Sequence, residues 1–166
     1  LFIQNVDKWN SSEQLSNELE VIGFYFSDHP LKHYPIKFFQ FNNISNYESI
    51  INNQEIKNVK LCGSVLDIKE RSNKDGKKYA FLTISEINSQ YEIVIFNDNL
   101  SKYRKILKEG NLLIFEVDIS RNNNDTRLIV RKTSLLDAFF NNINKKIDIF
   151  ISSINLFNYR DKIFCK

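Results

Sequence analysis

Between Lys57 and Leu135 apolar and polar residues alternate in short runs, each closed by a turn signal. Alternation of this kind suits strands buried on one face and does not suit an amphipathic helix. Val59 to Ile68 is the first run, and Arg71 to Lys77 is a turn containing Asp75-Gly76, a strong hairpin signal. Tyr79 to Ile84 and Tyr91 to Phe96 follow, separated by a turn over 86–90. Asn97 or Asp98 is expected to cap a helix carrying Leu100, Tyr103 and Leu107, with Gly110 as its stop. Leu112 to Ile119 and Arg127 to Thr133 complete the set, on either side of a polar turn over 120–126.

Five strands with one helix between the third and fourth is the element order of an OB-fold, a small Greek-key barrel. The expected fold class is therefore mainly β with flanking helices. A small helical segment precedes the barrel, and the start of an α+β domain follows it.

The flanks are less regular. Ser11-x-x-Gln14 has the form of a capping box, Leu15, Leu19 and Ile22 share one helical face, and Gly23 stands where a C-cap belongs. Trp9 is expected to pack back on that helix. Phe24 to Tyr34 is an aromatic run broken by Asp28-His29-Pro30, with Asp28 as the expected cap and Pro30 in the first turn. His29 and His33 have the i, i+4 spacing of zinc helices. However, Pro30 puts His29 at or before the helix start and no third ligand is nearby, so packing is preferred to a metal. Ser45-x-x-Glu48 is a second capping box, ahead of Tyr47, Ile50 and Ile51. After the barrel, 136–146 reads as a short helix or linker, Ile147 to Ile151 as a strand, and Leu156, Tyr159 and Ile163 as a further helix.

The 166 residues include no methionine and begin at Leu1, so the chain is expected to be a piece of a longer protein. No apolar run approaches a membrane span, and Cys62 and Cys165 have no Cys-x-x-Cys spacing. Two reduced thiols in a cytoplasmic protein is the expectation. Charge is uneven: residues 1–56 sum to about −4, 57–135 to about +5 and the rest to about +2. A basic barrel favours a polyanionic partner.

Two stretches together resemble the α subunit of bacterial DNA polymerase III, the replicative polymerase. One is Glu18 to Leu31, containing Ile22-Gly23-Phe24-Tyr25 and Ser27-Asp28-His29-Pro30-Leu31, which is similar to that family's Leu-Gly-Phe-Tyr and Ser-Gly-His-Pro-Leu. The other is Gly63, Tyr79 to Thr83, Glu92 to Phe96 and Tyr103, which is similar to its OB segment. Asp28 stands where the family usually has Gly, Ile22 where it has Leu, and Asn88-Ser89 where it has a Gly-containing turn.

The resemblance implies three regions: the end of a helical, helix-hairpin-helix-bearing region over 1–56, an OB domain over 57–136, and over 137–166 a linker and the start of a C-terminal domain that contacts the clamp-loader τ subunit. It places the catalytic aspartates and the internal sliding-clamp motif elsewhere in the parent. No catalytic residue, metal or other cofactor is then expected in this piece, although the parent polymerase would use Mg.

Single-strand binding by a barrel needs cations for phosphates and π-faces for bases. The candidates are Arg71, Lys74, Lys77 and Lys78 in the first loop, Tyr79 on the second strand, and Arg121 and Arg127 in the last loop. Gly76 is expected to leave the first loop flexible. Phe81 and Phe96 are read as core, and Lys102, Arg104, Lys105 and Lys108 as a solvated helix face. The reading is a template-holding module of a replicative polymerase, with single-stranded DNA as partner, holoenzyme subunits as the parent's partners, and no membrane. The competing readings are an interaction scaffold between polymerase and accessory subunits, and a tRNA-binding OB domain of a synthetase. The Gly23 to Leu31 motif argues against the last.

Overall fold

The computed structural model describes residues 9–122 and 125–143. Its centre is a closed barrel of strands β1 (Asn58–Ser72), β2 (Lys78–Ser85), β3 (Gln90–Phe96), β4 (Leu112–Asn122) and β5 (Asp125–Leu135). The strand order is β1-β2-β3-β5-β4, and β4 closes back on β1. All neighbours are antiparallel except β3 and β5, which run parallel through Ile93–Leu128 and Val94–Ile129.

Closure depends on β1. Its first half pairs with β4 and its second half with β2, and both pairings meet at Ser64. Beside that point Leu66 is an extra residue between the Val65–Ile84 and Asp67–Thr83 pairs. Such a bulge bends one strand so that it can serve two parts of a sheet. Gly63 lies on the tight inner side of the bend, where an added Cβ would stand 2.2 Å from Ile84 Cγ2 and 2.7 Å from the Ser85 carbonyl oxygen. A side chain does not fit there.

The interior is mostly aliphatic. Ala80, Leu82 and Ile84 from β2 meet Ile93 and Ile95 from β3, with Leu113, Phe115 and Val117 from β4 opposite. Helix α4 (Asn97–Tyr103) contributes Leu100. It starts at Asn97, so the expected cap is instead the first helical residue, and Phe96 occupies the cap position without a side-chain bond. It also ends at Tyr103, leaving Leu107 in the following turn.

The residues before β1 form α1 (Ser11–Ile22), a 3-10 turn (Pro30–His33), α2 (Ile36–Phe41) and α3 (Tyr47–Asn52). Both expected Ser caps move by one residue, because a neighbouring Asn does the work. Asn10 accepts from Glu13 N at 2.8 Å while the Glu13 carboxylate accepts from Asn10 N, a complete capping box. Asn46 accepts from Ser49 N at 3.1 Å. Gly23 does close α1, at φ 82°. Trp9 is largely exposed and does not pack back.

Two clusters seat these helices on the barrel. Ile50 of α3 joins the barrel core at one end, and Tyr47 stacks on buried Tyr91 with centroids 4.8 Å apart. Outside the barrel, Leu31 and Phe38 pack with Cys62, Ile114 and Leu136, and Phe139 and Phe140 lie against them. Residues 136–143 are helical. The strand and helix expected after residue 146 lie outside the described residues.

Candidate nucleic-acid interface

Each strand of a barrel sends alternate side chains outward. The pairing register places those outward residues in cross-strand rows. One row runs Arg71 on β1, Tyr79 on β2 and Phe96 on β3. The next runs Lys69, Phe81, Val94, Ile129 on β5 and Asp118 on β4. A third runs Asp67, Thr83 and Glu92. The first two rows therefore form an aromatic and aliphatic patch edged by cations, and the third edges it with carboxylates.

The aromatic rings are held but not covered. Tyr79 meets Phe81 edge-on at 5.6 Å and Phe96 at 6.2 Å with the planes tilted by 40°. The Arg71 guanidinium lies 5.6 Å from the Phe81 centroid, within the range of a cation–π contact. Phe96 is 49% exposed, while Tyr79 and Phe81 are half-buried. Phe81 and Phe96 thus stand outside the barrel, contrary to the sequence reading, because the aliphatic residues of the opposite parity fill the interior. Glu92 carried a usable signal. A charge on β3 must face out, and Val94 and Phe96 share its parity.

The seven cationic and aromatic candidates divide. Arg71 belongs to β1 rather than to the loop, and it pairs with Tyr79. Lys78 opens β2. Lys74 and Lys77 lie on the turn between them, exposed and without an ion-pair partner among the described residues. That turn is built rather than slack. Asn73 Oδ1 accepts from Asp75 N at 3.0 Å and Lys77 N at 2.8 Å, and Gly76, at φ 74°, donates to the Asn73 carbonyl at 3.1 Å. Only glycine adopts this left-handed geometry without steric cost, so Gly76 fixes the turn instead of loosening it.

Strands β4 and β5 extend through most of the expected last loop, so Arg121 and Arg127 are strand residues. Arg127 is exposed and pairs with Asp125 at 2.8 Å. Arg121 is turned to another task. Its guanidinium donates to the carbonyls of Ile50, Asn53, Gln54 and Ile56 at 2.6–3.1 Å, fastening the end of α3 and the lead into β1. A guanidinium that spends its donors on four carbonyls is not available to a phosphate. Arg131 replaces it as a surface cation. It is the extra residue at the β4–β5 bulge, two positions beyond Ile129, and forms an ion pair with Asp118.

The Asp28-His29-Pro30 segment is not at this face. It is docked on the far end of β2. Glu18 of α1 accepts from Phe26 N and Ser27 N at 2.8 and 3.0 Å, and these bonds, led by the Ser27 side chain, hold its carboxyl down at about 2. His29, not Asp28, caps the 3-10 turn: its Nδ1 accepts from Leu31 N at 3.2 Å, so Nε2 carries the proton and faces Ser85 Oγ at 3.2 Å. Both ring nitrogens are thereby engaged, while His33 is exposed. Among the described residues no group of three or more His, Cys, Asp or Glu is placed to hold a metal. Nor, among them, is any helix long and apolar enough to cross a membrane.

Residues 59–136 match the family model of the OB-fold nucleic acid binding domain. The chain is 30% identical over 149 residues to DNA polymerase III subunit alpha of Halalkalibacterium halodurans, covering 89% of this chain and 13% of that protein. With the Caulobacter vibrioides subunit it shares 25% over 126 residues, covering 75% of this chain and 11% of that one. It therefore spans about a tenth of the length of these curated relatives. A mitochondrial single-stranded DNA binding protein from S. cerevisiae overlaps 48% of the chain and 92% of its own, at TM-score 0.41 and 18% identity. The chain is an OB-fold segment homologous to DNA polymerase III subunit alpha.

Proposed function

We propose that this segment is a non-catalytic part of a replicative DNA polymerase and that it holds single-stranded template DNA across the outer face of β1, β2 and β3. The observation that carries this reading is the row Arg71–Tyr79–Phe96 with Phe81 beside it: one exposed and two half-buried rings next to cations, on the barrel face bordered by the Lys74–Lys77 turn. Bases stack on Phe96, Tyr79 and Phe81. Phosphates are met by Arg71, Lys74, Lys77 and Lys78, with Arg127 and Arg131 on the far edge. Every base has a π-face, so stacking is tolerant of sequence, and neutralising phosphates releases condensed counterions. The carboxylates Asp67 and Glu92 bound the track on its third side.

Residues 1–56 then serve as the end of the helical region that delivers the chain to the barrel, and 137–166 as the lead into a domain that meets the clamp loader. The polymerase chemistry, its Mg, the sliding clamp and a cytoplasmic location belong to this proposal through the relatives. A scaffold reading keeps one observation in its favour. Phe26 and Phe41, both in the helical segment, are 80% and 84% exposed, surface that an adjoining protein would cover.

Titration of labelled oligothymidine with this chain, by fluorescence anisotropy at two salt concentrations, tests the first reading. Saturable binding that weakens steeply with salt, with a duplex bound less well, is the expected result. A folded chain that leaves the oligomer free at low salt sinks it in favour of the scaffold.

A further inference from the structure

At the end of β2 and β3 remote from the aromatic face, the 86–89 turn, the Pro30–His33 turn, α2 and the start of α3 enclose a cavity of about 570 Å³. That is the size of pockets that seat a compact organic group. Its apolar walls include Leu31, Tyr34, Ile36, Phe39, Ile44 and Ile87. Ile36 is 75% exposed and Ile87 43%. Aliphatic surface this open, at the mouth of a cavity, favours being covered.

The rim of the cavity is acidic. Glu86 is half-buried, and a single oxygen, Oε2, takes both of its hydrogen bonds, from Tyr47 N at 3.0 Å and Ser89 Oγ at 2.9 Å. Its other oxygen has no donor among the described residues. Glu48 stands on the same rim. Lys32 also lines the cavity, but it is paired with Asp28 at 2.8 Å. Burial, with a smaller push from Glu48, lifts the Glu86 carboxyl above the usual carboxylate range. A carboxylate placed beside apolar walls, with no cation bonded to it among the described residues, is a costly arrangement that an incoming cation relieves.

We propose that this cavity docks a segment of a partner polypeptide in which an apolar side chain stands next to a lysine or arginine. The apolar side chain fills the space between Ile36 and Ile87. The cation reaches the free oxygen of Glu86. Two carboxylates on the rim repel phosphate, so nucleic acid is the wrong occupant. The two faces are also separate: Ser85–Gln90 ends the β2–β3 ladder here, and Tyr79–Phe96 ends it at the aromatic row, roughly 20 Å away at the rise of a strand. Both can be occupied together, and this proposal does not depend on DNA binding.

The test is amide-shift mapping of the whole isotope-labelled chain with four probes: acetyl-Phe-Lys-methylamide, acetyl-Phe-Glu-methylamide, 2-phenylethylammonium and oligothymidine. The lysine dipeptide is expected to give saturable millimolar shifts at Tyr47, Ile87 and Ser89, and the glutamate dipeptide and oligothymidine none there. Glu86→Gln, whose amide oxygen still accepts from Tyr47 N and Ser89, is expected to weaken the lysine dipeptide about fivefold or more. Ile36→Ser, a change at an exposed position, is expected to weaken it as well. Equal shifts from both dipeptides remove the charge recognition, and no shifts at all remove the site. Binding of phenylethylammonium as tight as that of the dipeptide replaces the polypeptide with a small amine.

Discussion

His29 Nε2 lies 3.2 Å from Ser85 Oγ, a bond that spans 56 positions of chain and joins the segment before the barrel to the last residue of β2. Tyr25 repeats the attachment one strand away, with its hydroxyl 2.7 Å from Ser64 Oγ and its ring edge-on to His29 at 5.2 Å. The imidazole is buried at 5% exposure and must stay neutral, since its Nδ1 receives the Leu31 N–H.

Desolvation lowers the His29 pKa from 6.5 to about 4. The unfolded chain therefore binds the extra proton first as pH falls. Stability is expected to be full above pH 6.5 and to drop between there and about 4, by on the order of 3 kcal/mol. Urea denaturation at pH 7 and pH 5, in the parent chain and in His29→Gln, measures the difference. The parent should lose more than the variant over that interval, and equal losses would contradict the burial argument.

Arg121 joins the α3 end to the barrel through four carbonyls. Arg121→Ala leaves those carbonyls short of donors and should cost about 2–3 kcal/mol. Arg121→Lys should recover little of it, because an ammonium lacks the planar fork. Oligothymidine affinity should stay the same in any folded fraction. A variant as stable as the parent but weak in DNA binding would return Arg121 to the phosphate track.

Phe96 is exposed enough to lose without harm to the core. Phe96→Ala should weaken oligothymidine binding by about 1–3 kcal/mol, with Tyr79→Ala alike, while the melting temperature moves little. Anisotropy and thermal denaturation on the same preparations separate the two effects. Unchanged affinity would take the rings out of the site.

Lys74 and Lys77 sit on a turn whose shape comes from Asn73 and Gly76, so their side chains can be removed without collapsing it. Lys74→Ala with Lys77→Ala should flatten the plot of log affinity against log salt by about 1.4 for two lost phosphate contacts. An identical slope in the folded double variant would show that neither lysine touches the backbone of the strand.

Gly63→Ala inserts a methyl 2.2 Å from Ile84 Cγ2 and 2.7 Å from the Ser85 carbonyl oxygen. Both obstacles belong to the β1–β2 ladder, which cannot widen locally without opening the barrel. A loss of about 3 kcal/mol or more is expected in denaturant titration. A fully stable variant would mean that β1 can move away at its bend.

The sequence by itself determined the barrel. Alternation and Asp75-Gly76 are local signals, and they order the strands and the first hairpin because side-chain period and turn geometry are set within a few residues, whereas the inserted helix ends at Tyr103, well before the Gly110 expected to stop it. It also determined that the barrel is the basic part and that Arg71, Lys74, Lys77, Lys78 and Tyr79 cluster about the first hairpin. Tertiary structure decided the rest. Which parity of β2 and β3 points outward depends on what fills the interior, so Phe81 and Phe96 became surface only once the aliphatic residues closed the core. Arg121 and Arg127 are alike in sequence, six positions apart on one hairpin. One meets four carbonyls from a helix end far back in the chain and the other meets solvent and Asp125. The docking of His29 and the acidic cavity beside Glu86 likewise join residues dozens of positions apart, and no period or spacing along a chain encodes which distant segments will come to touch.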